Sequence, residues 1–326
     1  MAFADIPKIE KYNFYTELAF RKATKVTNKQ HKRQIMKKFD AVKESLDTSL
    51  KRILLKYPNI DDLDPFYNKL FKATLDYPSI KKALGSLVWC TNKIAEFHRF
   101  YIKKIAYHKD SEDKKRLNQF RIQFYGRVNS CVKQIRKELE LLEESRRVIK
   151  EFPIIKTGMK TVSLVGFPNV GKTTLLFKLT GSKADIQPYA FTTKGINVSY
   201  YVNKGKRLQL LDTPGTLNRL DKMNTIEYIA YLAMEELADF LVYVFDPTEH
   251  YTIEEQIKLY KRVKKYKKKV YAYISKRDIC KDYSEELNKF NPLTFDELKD
   301  LFNKTIDYDS KEREKAKSKV KESEED

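Results

Sequence analysis

Two hydrophobic periods divide the chain into a helical half and a half in which strands alternate with helices. Through residues 1–155, apolar side chains recur at three- and four-residue steps, the spacing of amphipathic helices. The pattern predicts helices over 14–28, 31–57, 65–77, 79–108 and 111–150. Long helices with short connections are typical of a bundle, so we expect an all-α N-terminal helical bundle. In the last segment one apolar stripe predicts a packing surface: Leu117, Phe120, Phe124, Val128, Cys131, Ile135, Leu139 and Leu142.

Beyond this half, short apolar runs rich in β-branched residues alternate with helical segments. We expect strands over 161–165, 198–202, 207–211, 240–245 and 270–274, with 290–294 as a further short strand. Helices are expected over 174–180, 226–237, 253–268 and 295–306. Such alternation predicts an α/β fold with a mostly parallel sheet and helices on both faces. We therefore place the helical bundle at 1–155, the α/β domain at 156–308 and a charged tail, helical or disordered, at 309–326.

A phosphate-binding motif lies between the first strand and the first helix of the α/β half. The pattern GxxxxGKS/T is complete in Gly166, Phe167, Pro168, Asn169, Val170, Gly171, Lys172 and Thr173, followed by Thr174. In this context backbone N–H groups point at the α- and β-phosphates of a nucleotide. Lys172 would reach the β- and γ-phosphate oxygens, and the Thr173 hydroxyl would bind Mg²⁺.

The charge of the chain adds a second expected partner. The formal net charge is +20, and residues 1–155 carry 34 basic and 19 acidic residues, net +15. This excess favours nucleic acid over an anionic membrane surface, and it places the nucleic-acid face on the helical half. Cys90, Cys131 and Cys280 are far apart in sequence and are expected to be reduced thiols of a cytoplasmic protein. Since no apolar run approaches the length of a membrane span, we expect a soluble protein with no membrane partner.

Two further segments fit the metal side of a nucleotide site. Asp212, Thr213, Pro214 and Gly215 follow a predicted strand, where a P-loop NTPase carries its second metal-side carboxylate. Asp212 would hold Mg²⁺, and the Gly215 N–H would approach the γ-phosphate. A DxxG segment in this place favours a GTPase. Between the two motifs, Phe191, Thr192 and Thr193 belong to a loop that would close over the γ-phosphate and Mg²⁺.

These motifs together resemble those of the nucleolar GTP-binding protein 1 family, Obg-type GTPases whose members assist assembly of the large ribosomal subunit. The resemblance rests on GFPNVGKT, YAFTTK and LDTPGTLNRL, and on DLDPFYNKL, GRVNS and LEESRR in the helical half. It implies an α/β P-loop GTPase domain preceded by the helical bundle, with GTP and GDP as ligands. The large-subunit precursor, its rRNA and its ribosomal proteins are the implied partners. The resemblance also implies that Thr193 is the Mg²⁺ ligand that senses the γ-phosphate.

The chain departs from the GTPase patterns at two places. Where the family has AsnLysxAsp for guanine, this chain has Ser275, Lys276 and Asp278. Asp278 can still accept hydrogen bonds from guanine and the Lys276 stem can cover the base, but Ser275 is too short to copy the asparagine amide. Thr216 and Leu217 follow Gly215, so the glutamine that orients the attacking water in Ras-like enzymes has no counterpart. Hydrolysis, with Lys172, Thr193 and Gly215 as its catalytic groups, is therefore expected to be slow without a partner.

Three interpretations remain open from the sequence. The chain is a monomeric GTPase switch for ribosome assembly, or an RNA-binding assembly factor whose guanine nucleotide is structural and barely hydrolysed. An adenine-nucleotide kinase is disfavoured by Asp212 and Asp278. Asn169 either hydrogen-bonds its own loop or supplies an oxygen ligand for an activating K⁺ ion.

Overall fold

The structure, a computed structural model, describes residues 3–108, 113–152, 155–181, 197–212, 225–248, 251–279 and 285–322. It divides into two compact units. The helical unit comprises Met1–Leu63 and Phe71–Phe152, and the α/β unit comprises Asp64–Leu70 and Pro153–Asp326. The expected domain limits at 155 and 308 stay predictions. Within the described ranges, no helix combines the length and the apolar character that crossing a membrane requires.

Long helices build the helical unit. They are α1 (Tyr12–Thr24), α2 (His31–Lys56), α3 (Pro65–Thr74), α4 (Tyr77–Ala106), α5 (Lys114–Gln134) and α6 (Arg136–Lys150). Asp76 caps α4 by accepting from the Ser79 N–H at 3.2 Å. The expected apolar stripe is buried throughout, at 3% exposure or less for each member. At its centre the rings of Phe39 and Phe124 lie 4.2 Å apart, and Tyr101 meets both edge-on.

The single helix expected over 111–150 is wrong. At Ile135 the backbone leaves the helical conformation (φ −90°, ψ 16°) and separates α5 from α6. There the Ile135 N–H bonds the carbonyl of Val132, three residues back, so the turn tightens locally. Ile135 is itself 2% exposed, which shows that the apolar stripe continues across the break.

A carboxylate fastens the N-terminal segment to α6. Glu143 accepts from the Ile9 N–H at 2.9 Å, from the Arg146 guanidinium at 2.7 and 2.8 Å, and from Arg147 at 3.2 Å. Burial of this carboxylate opposes its ionisation, but the hydrogen bonds outweigh burial and lower the pKa of Glu143 to about 2. The charged form is therefore the one that stabilises the unit.

Two of the cysteines are neighbours in space. The Sγ atoms of Cys90 in α4 and Cys131 in α5 lie 3.7 Å apart in the core, although 41 positions separate them in sequence. Both are buried free thiols. Cys280 lies outside the described residues.

The α/β unit is a mostly parallel sheet with strand order β2-β3-β1-β4-β5. The strands are β1 (Thr161–Val165), β2 (Asn197–Asn203), β3 (Lys206–Asp212), β4 (Phe240–Phe245) and β5 (Lys269–Ile274), and β2 pairs antiparallel with β3. The helices are α7 (Lys172–Thr180), α8 (Thr225–Leu232), α9 (Ile253–Val263), α10 (Glu285–Asn288) and α11 (Phe295–Glu322), and a π-helical turn, Ala233–Leu237, follows α8. The strands β1 and β4 are buried along their whole length, as expected for central parallel strands.

Local backbone chemistry explains where the sequence prediction differs. The hairpin β2–β3 forms as expected, since Lys204 and Gly205 have positive φ values (48° and 77°), which a two-residue hairpin turn requires. The strand expected over 290–294 is reduced to one bridge between Leu293 and Tyr273, because Asn291 has a φ of 47° and Pro292 has no N–H to donate. The helix expected to end at 268 ends at Val263. Shortly beyond it, backbone N–H groups bond carbonyls three residues back instead of four.

The first part of α3 belongs to the α/β unit. The Tyr67 hydroxyl donates to the Ile155 carbonyl at 3.2 Å and accepts from the Ile155 N–H at 3.0 Å. The Thr157 hydroxyl donates to the Asp64 carboxylate at 2.7 Å, and Lys69 pairs with Glu236 in the π-helical turn. The rest of α3, from Phe71 onward, clusters with the helical unit.

Candidate functional site

The carboxyl ends of the parallel strands converge at one edge of the sheet. Gly166 follows β1, Asp212 ends β3, Asp246 follows β4 and Ser275 follows β5. In open parallel sheets this edge is where ligands bind. All four positions are therefore placed to act on one ligand.

The loop after β1 needs glycine at two positions where other parts of the chain approach closely. At Gly166 (φ 153°) a Cβ atom would lie 2.7 Å from the Val244 carbonyl oxygen. At Gly171 (φ 91°) it would lie 3.3 Å from the Cβ of Ser275, and α7 begins at the next residue. This is a tight loop that leads into a helix N-terminus, the local geometry that presents backbone N–H groups to phosphate.

Lys172 is a buried cation at the start of α7. It is 6% exposed, and its Nζ donates to the Gly166 carbonyl at 3.0 Å and to the Phe167 carbonyl at 2.7 Å. Burial lowers the pKa of Lys172 to about 8, and the nearby Asp212 carboxylate opposes that change only in part. Because neutral carbonyls compensate a buried ammonium poorly, this cradle is suited to an anion such as a nucleotide phosphate.

Thr173 and Asp212 form the candidate metal pair. The Thr173 hydroxyl donates to the Asp212 carboxylate at 2.6 Å, and Asp212, opposite Leu164 of β1, is 5% exposed. A hydroxyl and a carboxylate are the hard oxygen ligands that Mg²⁺ prefers. The residues present therefore fit Mg²⁺.

Ser275 is engaged with the phosphate loop itself. Its hydroxyl donates to the Val170 carbonyl at 2.7 Å and also lies 3.0 Å from the Phe245 carbonyl oxygen. The Ser275 N–H donates to that same Phe245 carbonyl at 2.9 Å. We expected Ser275 beside the guanine base, but its side chain connects the end of β5 to the phosphate loop by hydrogen bonds.

A polar cluster beside Lys276 was missed by sequence reasoning. The Lys276 Nζ donates to the buried Asp246 carboxylate at 2.6 Å and to the Thr248 hydroxyl at 3.1 Å. The side chain of Gln256 fixes the Asp246 backbone, accepting from its N–H at 2.9 Å and donating to its carbonyl at 2.7 Å. Lys276 has a φ of 52°, a conformation that is uncommon for residues other than glycine and is enriched at functional sites. A carboxylate directly after a buried parallel strand was the available signal.

Burial of Asp246 opposes ionisation of its carboxylate, but the bonds from Lys276 and Thr248 outweigh burial and lower its pKa. The ammonium of Lys276 is thereby fixed at the end of β5, one residue from Ser275.

The remaining expected residues fall into two groups. Phe167 stacks on Tyr251 with ring centroids 4.3 Å apart, Pro168 is half-buried, and Asn169 is exposed with a φ of 63°. Thr174 and Asp278 are exposed, Asp278 in the turn after Lys276. Outside the described residues lie Phe191, Thr192, Thr193, Thr213, Pro214 and Gly215.

Comparison with known families assigns the two parts of the chain. Residues 3–156 match the family model described as "NOG1 N-terminal helical domain", and residues 161–276 match the model described as "50S ribosome-binding GTPase". The chain belongs to the nucleolar GTP-binding protein 1 family. Its second half is accordingly a GTPase domain, with the mostly parallel sheet and the P-loop described above.

Relatives with and without a functional name are similar to much of this chain. An uncharacterized protein of Methanocaldococcus jannaschii is 33% identical over 275 residues, covering 80% of this chain and 76% of that protein. Nucleolar GTP-binding protein 1 of Saccharomyces cerevisiae is 33% identical, and the match covers 77% of this chain and 39% of the yeast protein. The Drosophila melanogaster protein of the same name is 31% identical, and the match covers 70% of this chain and 35% of the fly protein. This chain therefore spans well under half of those two relatives. The G domain of the T. maritima FeoB iron transporter is 31% identical over 40% of this chain and 81% of its own, with a TM-score of 0.34.

Proposed function

We propose that this protein is a GTP-binding and GTP-hydrolysing switch that acts in assembly of the large ribosomal subunit and binds the rRNA of its precursor. The observation that carries the proposal is a phosphate loop with a buried lysine, in one chain with a helical half of net charge +15. The matching model is described as a ribosome-binding GTPase, and the named relatives carry "nucleolar" in their names. A cytoplasmic location and a monomeric state remain predictions.

Different residues of the proposed site bind different parts of the nucleotide. The Gly166–Thr174 loop binds the α- and β-phosphates through backbone N–H groups, and Lys172 neutralises the β- and γ-phosphate oxygens. Thr173, Asp212 and Thr193 would hold Mg²⁺, which supplies positive charge against the phosphates when it is bound. Asp278 accepts from the guanine base, and Asp246 positions Lys276 beneath it. Ser275 acts on the phosphate loop.

Hydrolysis is expected to be slow in the isolated protein. Lys172, Thr193 and Gly215 are the proposed catalytic groups, and Thr216 and Leu217 occupy the positions where a glutamine would orient water. A partner that completes the site would then couple GTP hydrolysis to binding of the precursor. Thr193 and Gly215 are proposed to contact Mg²⁺ and the γ-phosphate, and these contacts are lost when the γ-phosphate leaves.

Single-turnover GTP hydrolysis with and without large-subunit precursor particles tests this proposal. We expect hydrolysis at least about ten-fold faster with the precursor than alone, and sedimentation with the precursor in GTP but not in GDP. Small ribosomal subunits at equal RNA concentration serve as the control and should have no effect. Nucleotide that stays bound and unhydrolysed in every arm would instead support an RNA-binding assembly factor with a structural nucleotide.

A second prediction concerns K⁺ at Asn169. An oxygen ligand from Asn169 would place a cation beside the phosphates, where the transition state gathers negative charge. The positive φ of Asn169 gives another reason for asparagine at this position, since asparagine tolerates that conformation. We expect GTP hydrolysis to be several-fold faster in K⁺ than in Na⁺ at equal ionic strength.

The variant Asn169→Gly separates the two explanations, because glycine keeps the backbone conformation and removes the side-chain oxygen. It should bind GTP and should hydrolyse it at the same rate in both salts. Equal rates for the unmodified protein in K⁺ and Na⁺ would refute the cation site.

A further inference from the structure

An open groove runs between α4 and α5 on the helical unit. Its volume is about 660 Å³, within the range of roughly 300–1,000 Å³ found for small-molecule sites. The α4–α5 groove is lined chiefly by Trp89, Lys93, Phe97, Gly126 and Arg127. The first three lie one helical turn apart on α4, so they form a single row along one side of the groove.

Aromatic rings and cations alternate in this groove. Trp89, the chain's single tryptophan, is 44% exposed. The Arg127 guanidinium carbon lies 5.8 Å from the ring centre of Phe97, and the Lys93 Nζ lies 5.5 Å from the same ring. Lys93 also pairs with Glu96 at 2.8 Å on the exposed face of α4. The groove thus offers flat apolar surfaces with positive charge beside them.

Gly126 leaves part of the groove wall without a side chain. It lies inside α5, where glycine is less favourable for a helix than alanine. Among the described residues, apart from its sequence neighbours and the backbone of α5 itself, nothing lies within 4 Å of a Cβ atom built at Gly126, so these residues do not require glycine there. A larger side chain would instead fill the groove.

The occupant should be flat, aromatic and negatively charged. Among the described residues that line the groove none is acidic, and Gln123, Ser130 and Gln134 contribute hydrogen-bonding groups to its lining. Nucleobases stack on aromatic side chains and on arginine, and the phosphates between them bind cations. The net charge of +15 on residues 1–155 favours a polyanion, and the exposed aromatic rings favour one that carries stacking bases over an acidic peptide.

We propose that the α4–α5 groove binds an unpaired nucleotide of single-stranded RNA, with the base against Trp89 and the phosphate beside Arg127 and Lys93. This rests on the proposed function, because it names the place on the helical unit where RNA is bound.

Trp89 reports on the groove directly. The whole 326-residue chain is titrated with a single-stranded RNA of about 12 nucleotides, and tryptophan fluorescence is excited where tyrosine does not absorb. A base stacked on the indole should quench the fluorescence to saturation. Duplex RNA of equal phosphate content should quench little, since its bases are stacked inside the helix. An oligoglutamate peptide is the matched acidic ligand without bases, and quenching by the peptide but not by RNA would overturn the proposal in favour of a protein partner.

Variants test the groove through the anisotropy of fluorescein-labelled single-stranded RNA. Trp89→Ala and Arg127→Ala should each weaken binding roughly ten-fold or more. Leu55→Ala and Arg52→Ala are the controls, since both residues are exposed on α2, and they should bind within about two-fold of the unmodified protein. Gly126→Leu should also weaken binding while its melting temperature stays at or above that of the unmodified protein.

The experiments distinguish failure of the α4–α5 groove from failure of RNA binding by the protein as a whole. RNA binding that none of the groove variants weakens would overturn the α4–α5 groove and leave RNA binding by the protein intact. No RNA binding by the unmodified protein, with GTP hydrolysis retained, would overturn both the groove and the RNA part of the proposed function.

Discussion

Replacing Lys172 by methionine is expected to remove GTP binding at micromolar concentrations. The change keeps most of the side-chain volume but removes the cation proposed to contact the β- and γ-phosphate oxygens. Hydrogen bonds to charged groups contribute ~1.5–3 kcal/mol each, so loss of two should lower the affinity by roughly 100-fold or more. Titration with a fluorescent GTP analogue measures it. Lys178→Met, on the exposed face of the same helix, is the control and should bind normally.

The same variant should fold at least as stably without nucleotide. The pKa of Lys172 is lowered from 10.5 to about 8, so the charged lysine costs the nucleotide-free fold on the order of 3 kcal/mol. That penalty is present below about pH 8 and fades between about pH 8 and 10.5, as the folded protein loses the proton before the unfolded chain does. A melting temperature at or above that of the unmodified protein would therefore show that lost binding is not lost folding. Near-normal GTP affinity would refute the assignment of this site.

Replacing Asp278 by asparagine should change the base preference from guanine towards xanthine. The Asp278 carboxylate is proposed to accept the N1 and N2 hydrogens of guanine, whereas an asparagine amide can donate to the C2 oxygen of xanthine. Since each hydrogen bond to a charged acceptor contributes ~1.5–3 kcal/mol, GTP affinity should fall by at least about ten-fold and XTP affinity should rise. Competition binding of GTP against XTP gives the ratio.

Asp300→Asn is the matched control for this change. Asp300 is an exposed carboxylate on α11, and its replacement should leave the GTP-to-XTP ratio unaltered. An unchanged ratio in Asp278→Asn as well would mean that another group reads the base. The Ser275 hydroxyl is a poor candidate for that role, because it is bonded to the phosphate loop.

The elements that could be predicted from sequence are those with a local cause. Strand β1, the phosphate loop and α7 follow from a short apolar run, a complete motif and helical spacing. The β2–β3 turn follows from Lys204-Gly205, whose backbone chemistry is local. The apolar stripe of α5 and α6 could be read from its period alone, because a buried helix face repeats every three to four residues.

Other features depend on contacts that spacing along the chain does not encode. Asp246 and Lys276 are 30 residues apart and meet only when β4 and β5 pair. Cys90 and Cys131 touch because α4 packs on α5, and the α4–α5 groove exists for the same reason. The break at Ile135 involves neither proline nor glycine, so periodicity could not reveal it. From the sequence, Ser275 was interpreted as a residue facing the guanine base and too short to replace asparagine. Its hydroxyl instead bonds a backbone carbonyl of the phosphate loop.

The division of α3 makes the helical half unsuitable for exchange as a module. Phe66, Tyr67 and Leu70 are 1%, 3% and 0% exposed, and all three lie in the part of α3 that belongs to the α/β unit. The same segment bonds the rest of the α/β unit through Tyr67 and Ile155, Asp64 and Thr157, and Lys69 and Glu236, so a hybrid protein joined near residue 155 would place these pairs in different parents. A chimera between family members would therefore have to keep Asp64–Leu70 with the GTPase of the same parent. Those seven residues should co-evolve with the rest of the α/β unit, which resumes at Pro153.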